Sequence, residues 1–144
     1  MNTKYSDVFE LFLAIMKSYE IDEIIYSKDE ETIKTLLLPY IKYASGELEN
    51  NNSQIDISDR NDELGEFNQV LSDGKQLIIA ELMLIGYLSS ETYDILQMKL
   101  HLQDGDFKTY AEKNNLDGKM NALYSLKEEV SYKLKKIGYK EFVW

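Results

Sequence analysis

The chain has no cysteine, one proline, one histidine and one tryptophan. Without cysteine there is no disulfide framework, no thiolate nucleophile and no cysteine-ligated zinc. One proline and seven glycines leave few interruptions, which favours helices. Positive charge is also scarce: 16 Lys and Arg stand against 26 Asp and Glu, for a net charge of −10. A surface of that sign repels phosphates, so tight nucleic-acid binding is not expected, although such a chain can stand beside nucleic acid without adhering to it. No hydrophobic run reaches membrane length. The longest, Leu77 to Leu88, gives about 18 Å of helix, against a bilayer core of ~30 Å. The opening Met1-Asn2-Thr3-Lys4 leads into an amphipathic segment with Asp7 and Glu10 and does not read as a signal peptide. The expectation is a chain made and kept in a cytoplasm, or in something assembled there.

The 144 residues suit one domain, and the Leu77–Leu88 stretch organises it. Glu81 is its only charge, and its apolar residues fall on every side of a helical wheel, so this helix is expected to be buried nearly all round. Ser72 is its candidate N-cap. A first helix is predicted from about Tyr5 to Tyr19, with Val8, Phe9, Leu11, Phe12, Ile15, Met16 and Tyr19 repeating at three and four, and Ser6 able to cap it. Residues 21–28 read as a connector. A second helix starts near Asp29, with acids at its positive end and a stripe of Ile33, Leu37, Ile41, Ala44 and Leu48, widened by Leu36 and Tyr40. Pro39 inside this pattern predicts a kink or, less favoured, two helices split at Leu38.

Residues 49–67 read as a polar loop carrying Asp56, Asp59, Asp62, Glu63 and Glu66, with Ile55 and Ile57 spaced for a short extended piece. At about 18 residues the loop is longer than ordinary connections, which points to function or disorder. After Leu88, the pattern Tyr93, Leu96, Leu100 carries helix on to about Leu102, with Gln103-Asp104-Gly105 as a turn. Residues 106–110 open either an extended piece or another helix. The last helix spans about Asn115 to Lys136, with Glu129 and Lys133 as an i,i+4 pair and Gly138 as the residue after its end. The predicted fold is therefore all-α: a small helical bundle around a buried central helix, with a long acidic loop and an extended C-terminal tail. Residues 1–138 form the domain and 139–144 the tail.

Little of this sequence carries reaction chemistry. Asp59, Asn61 and Glu63 match the first, third and fifth positions of a calcium loop, but the sixth is Leu64 in place of glycine and the twelfth Val70 in place of glutamate, so a solvated loop is favoured. Ser72-Asp73-Gly74-Lys75 matches a bare S-x-x-K pattern without its S-D-N or K-T-G partners, so a helix cap is favoured over a nucleophile. His101 has no second histidine or cysteine with which to share a metal. Glu81 is the one buried-acid candidate, expected on a thin exposed strip or against a lysine or tyrosine. No catalytic residue, metal site or cofactor is assigned, and an enzyme is not expected. The aromatic end is different. Tyr139, Phe142, Val143 and Trp144 lie beyond the last stop signal, either folded back on their own core or free to anchor in a partner's pocket.

Several stretches in succession resemble the small neck proteins of tailed bacteriophages that infect Gram-positive bacteria. They are Leu36 to Tyr43; Ile57 to Leu64 with Phe67 and Leu71; Leu77 to Leu88; Asp106 to Ala111; and Leu123 to Val130. The chain departs from that pattern at Asp73 to Gln76, where a more acidic helical turn is expected, and after Gly138. The resemblance implies an α-helical head–tail adaptor that forms a ring with copies of itself, commonly twelve. The ring would sit between the portal protein and the next neck or tail component, with double-stranded DNA passing through. It implies a place in the virion neck, with assembly in the host cytoplasm and no membrane partner. On that reading residues 139–144 are expected to dock on the portal, and Asp56, Asp59, Asp62, Glu63 and Glu66 to face the channel or a neighbour. The alternative class is an acidic inhibitor, immunity-type or antitoxin-type protein that covers a partner's basic surface.

Overall fold

A computed structural model describes residues 1–21, 28–51 and 53–141, with side chains as far as residue 137. Its described residues form an all-α bundle of five helices, with one two-stranded hairpin as the exception. Helix α1 is Tyr5–Ser18, α2 is Glu30–Asn50, α3 is Asp73–Gln97, α4 is Asp104–Lys113 and α5 is Leu116–Glu141. Strands β1 (Arg60–Asn61) and β2 (Glu66–Phe67) lie between α2 and α3, and a 3-10 turn, Met98–Leu100, follows α3.

Helix α3 is the axis, with α1, α2 and α5 packed on it. Every residue from Ile78 to Gly86 is buried, as its all-round apolarity requires. Ser72 caps it, its hydroxyl accepting from the Lys75 amide at 3.3 Å. The S-x-x-K serine is therefore a cap. Gly86 has a packing reason: a Cβ there would sit 2.6 Å from the Tyr43 ring of α2. The missing side chain lets the two helices approach closely.

Helix α1 begins at Tyr5, so Ser6 lies within its first turn and does not cap it. Lys4 occupies the cap position without a side-chain bond, and the Tyr5 amide instead donates to the Gly65 carbonyl at 2.8 Å. The hairpin thus satisfies a helix-terminal donor that a cap residue would otherwise serve. At the other end Glu20 is left-handed (φ 58°), with Ile21 bonded back to Met16 and Glu20 to Lys17. This is a Schellman closure with glutamate where glycine is usual, and Ile21 is buried behind it.

Asp29 caps α2 by accepting from the Thr32 amide at 2.8 Å, and that bond holds its carboxyl below the ordinary value. The helix runs unbroken through Pro39, so no split occurs at Leu38. Pro39 is exposed, and its missing donor removes one ladder bond while Leu37, Ile41, Ala44 and Leu48 stay buried. Leu36 belongs to the outer side, 43 % exposed.

Two other readings are corrected. The Tyr93, Leu96, Leu100 pattern does mark helix, ending at Gln97 and the 3-10 turn, but these residues are exposed; Thr92 and Ile95 take the inner face. Helix α5 does not stop at Gly138 but continues to Glu141, since a glycine inside a helix costs only about 1 kcal/mol and does not by itself end it. Residues 106–110 are helical, within α4. Most of the predicted connector, residues 22–27, lies outside the described residues, as do Phe142, Val143 and Trp144.

Gly86→Ala should destabilise the fold by about 1–3 kcal/mol, because the new methyl must displace a packed ring and not a mobile chain end. Urea denaturation followed by circular dichroism measures this; a change within error would mean that Tyr43 moves aside freely.

Candidate functional site

The acidic loop is a packed structure. Ile55 and Ile57 do alternate, but as buried plugs in the core outside any strand. The pairing falls later, with Arg60 opposite Phe67 and Asn61 opposite Glu66, antiparallel. Lys4 bridges to Glu66, so residues 3–5 run alongside β2, with the Thr3 amide donating to Gln69 and the Phe67 amide to Thr3. Tyr5 and Phe67 pack with their rings tilted by 57° and centroids 4.8 Å apart. At the tip, Asn61 Oδ1 accepts from the amides of Glu63 and Leu64, both at 3.0 Å, and Gly65 takes a positive φ of 69°.

Most of the acids predicted for this region support the loop itself. Asp62 accepts from the Tyr5 hydroxyl at 2.5 Å and lies 3.3 Å from Arg60 Nε. Burial, reinforced by the Asp62 bond, pushes the Tyr5 phenol well above its ordinary value. Asp59 accepts from the Asn68 side chain at 2.7 Å, Asp56 from the Ser58 amide at 2.9 Å and Glu66 from Asn2 at 3.3 Å. Arg60 donates to the Ile57 carbonyl at 3.1 Å and to Ser45 of α2 at 3.3 Å, tying the hairpin to the bundle. The tip is left bare: Glu63 is exposed, and Leu64 is 69 % exposed.

The single charge of the core stretch is buried and partnered by a lysine. Glu81 is 2 % exposed, and Lys133 Nζ of α5 donates to its Oε1 at 2.5 Å. Lys133 also lies 3.2 Å from Glu129, the expected i,i+4 neighbour. Burial raises the Glu81 carboxyl above its ordinary value, opposed by the Lys133 bond. Burial alone would lower the Lys133 ammonium, but the two carboxylates outweigh it and hold it raised. Tyr19, at the C-terminal end of α1, is close enough to feel the same group, and its phenol is raised by burial and by both acids. A second cross-link, Lys119 to Glu91 at 3.7 Å, shows that α3 and α5 run antiparallel.

Sequence reasoning missed a groove. Between α2 and α5 a cleft of about 660 Å³ opens above α3, with Leu82 and Ile85 buried at its base. Its apolar lining includes Tyr43, Leu82, Ile85, Val130 and Leu134, and Lys127, Lys135 and Glu47 are its charged residues. The signal was present in the all-round apolarity of α3, which asks for cover on every side. Glu81 lines neither this groove nor the cleft beside α4, where Lys99 sits over the Phe107 ring. His101 is exposed. Among the described residues no cluster of three or more His, Cys, Asp or Glu is placed to hold a metal ion, and no helix is long and apolar enough to cross a membrane.

The structure brings Asp62, Glu63 and Glu66 together on the hairpin, with Asp56 and Asp59 on the irregular segment leading into it. Of the tail residues, Tyr139 continues the backbone of α5, its side chain lying outside the described residues as Phe142, Val143 and Trp144 do. Compared with family models, curated proteins and solved structures, the chain matches none.

Lys133→Met should cost about 3–5 kcal/mol at neutral pH, because it strands a buried carboxylate. That deficit should shrink as pH falls. The stranded Glu81 has a raised folded-state pKa, so folding takes up a proton and stability declines as pH rises through that pKa. Parallel denaturation curves across mildly acidic to neutral pH measure the slope; a pH-independent deficit would exclude Glu81 as its source.

Proposed function

We propose that the chain is a structural subunit of the neck of a tailed bacteriophage, a ring-forming head–tail adaptor that docks on the portal and extends the DNA channel toward the tail. The observation that carries this reading is the succession of stretches resembling neck proteins. These stretches lie on α2, the hairpin, α3, α4 and α5, which together make up most of one bundle. The all-α fold agrees with what the resemblance implies. The net charge of −10 suits a wall along which DNA moves without adhering, because few bound counterions are released on contact. On this reading the partners are the portal, the next neck or tail component and other copies of the chain, within the virion, and no reaction is catalysed.

The aromatic residues Tyr139, Phe142, Val143 and Trp144 are assigned to portal docking, where large rings concentrate binding energy. Deleting residues 139–144 should leave the isolated domain folded and abolish association with the portal encoded beside it. Pull-down and analytical ultracentrifugation test this, and unchanged association would reject the tail's role. The acidic loop gives a second test. Charge reversal at exposed Asp56, Asp59 and Glu63 should make DNA retention stronger and more salt-dependent; unchanged DNA binding would count against a channel-facing loop.

A further inference from the structure

The hairpin tip and the groove are complementary in polarity and charge, and they share no residue. We propose that the hairpin tip of one copy seats in the α2/α5 groove of the next. The inference rests on the ring reading above and names its subunit contact. It assigns the acidic loop to a neighbour.

The tip is a rigid knob. Asn61 fixes the amides of Glu63 and Leu64, Gly65 permits the reversal, and the Tyr5 amide and hydroxyl hold the two sides. A large apolar side chain, Leu64, is 69 % exposed on this fixed support, with Glu63 exposed beside it. A backbone already held in place loses little entropy on docking, which leaves chiefly the rotamers of the Leu64 side chain to be fixed. Lys4 and Lys34 border Leu64 on the α1 and α2 side, while Asp59, exposed like Glu63, adds to the acid on the hairpin.

The groove is the matching socket. Its floor is the side of α3 that carries Leu82 and Ile85, and its walls add Val130 and Leu134. In a chain with ten more acids than bases, it is a place where lysines outnumber acids: Lys127 and Lys135 against Glu47. An occupant with an apolar centre and an acidic flank fits, and the chain carries one on another surface. Two different, mutually complementary faces on one subunit make a head-to-tail contact, which closes into a ring when the rotation allows.

The absence of cysteine makes the contact directly measurable. One batch of full-length chain carries Leu64→Cys and a second carries Ser131→Cys, a groove residue that is exposed in the isolated chain. Circular dichroism first establishes that both are folded. Mixed and treated with a short bismaleimide, they should give a covalent heterodimer. Excess wild type should compete it away, and Lys127→Glu with Lys135→Glu in the groove-bearing chain should abolish it. Leu96→Cys, on the exposed stripe of α3, replaces Leu64→Cys as the control. No heterodimer, or an equal yield from Leu96→Cys, would overturn the proposal, the latter pointing to the α3 stripe as the contact. Portal binding without the cross-link rejects this contact alone. The cross-link without portal binding rejects the neck reading and leaves the contact standing.

Discussion

A helical stretch, Leu77 to Leu88 of α3, that is apolar on every side but carries one carboxylate dictates much of this molecule. Helix α3 cannot be stable in water alone, and it must be enclosed by partners. Enclosure buries Glu81, and a buried charge needs a partner of opposite sign. Lys133 of α5 supplies it at 2.5 Å, with Glu129 holding the other side of the ammonium. An apolar face can slide along another with modest loss; an ion pair whose carboxylate is buried cannot. The Glu81–Lys133 contact therefore fixes the register of α5 on α3, and the Lys119–Glu91 pair repeats the constraint farther along.

Enclosure still leaves an indentation between two of the covering helices. Three helices pack on α3, and the gap between α2 and α5 leaves Leu82 and Ile85 at the bottom of a groove. On another surface the chain spends its polar residues on building a hairpin, with Tyr5, Asp62, Arg60 and Asn61 holding a turn that exposes Leu64. On the proposed head-to-tail contact, the groove and the exposed Leu64 would be the two unlike faces that one chain needs to bind its own copies.

The helices were legible in the sequence because their signals are local. The stripe of α1, the Asp29 and Ser72 caps and the apolarity of α3 each depend on residues a few positions apart. What escaped depends on distant residues. No local pattern shows that Tyr5 bonds Asp62 or that the first amide of α1 is satisfied by Gly65. Local pattern therefore offers Ser6 as a cap and residues 49–67 as a polar loop, and neither the Gly65 contact nor the hairpin shows in it. Periodicity likewise cannot say which of two apolar stripes faces inward, so Tyr93, Leu96 and Leu100 marked the helix correctly while lying on its outside. Gly138 carried the usual stop signal, but the backbone continued to Glu141. Of the candidate site, the acids were visible by composition; their division into loop supports and a bare tip was not.

On the neck reading, this acidic all-α chain assembles with its own copies into a ring on a portal. The most direct measurement is mass by light scattering, paired with negative-stain imaging, of the chain alone and with the portal of the same genome. The account predicts rings, or a ring-shaped layer added to the portal. A monomer that ignores the portal and instead captures a host or toxin protein in a one-to-one complex would contradict it and favour the inhibitor class.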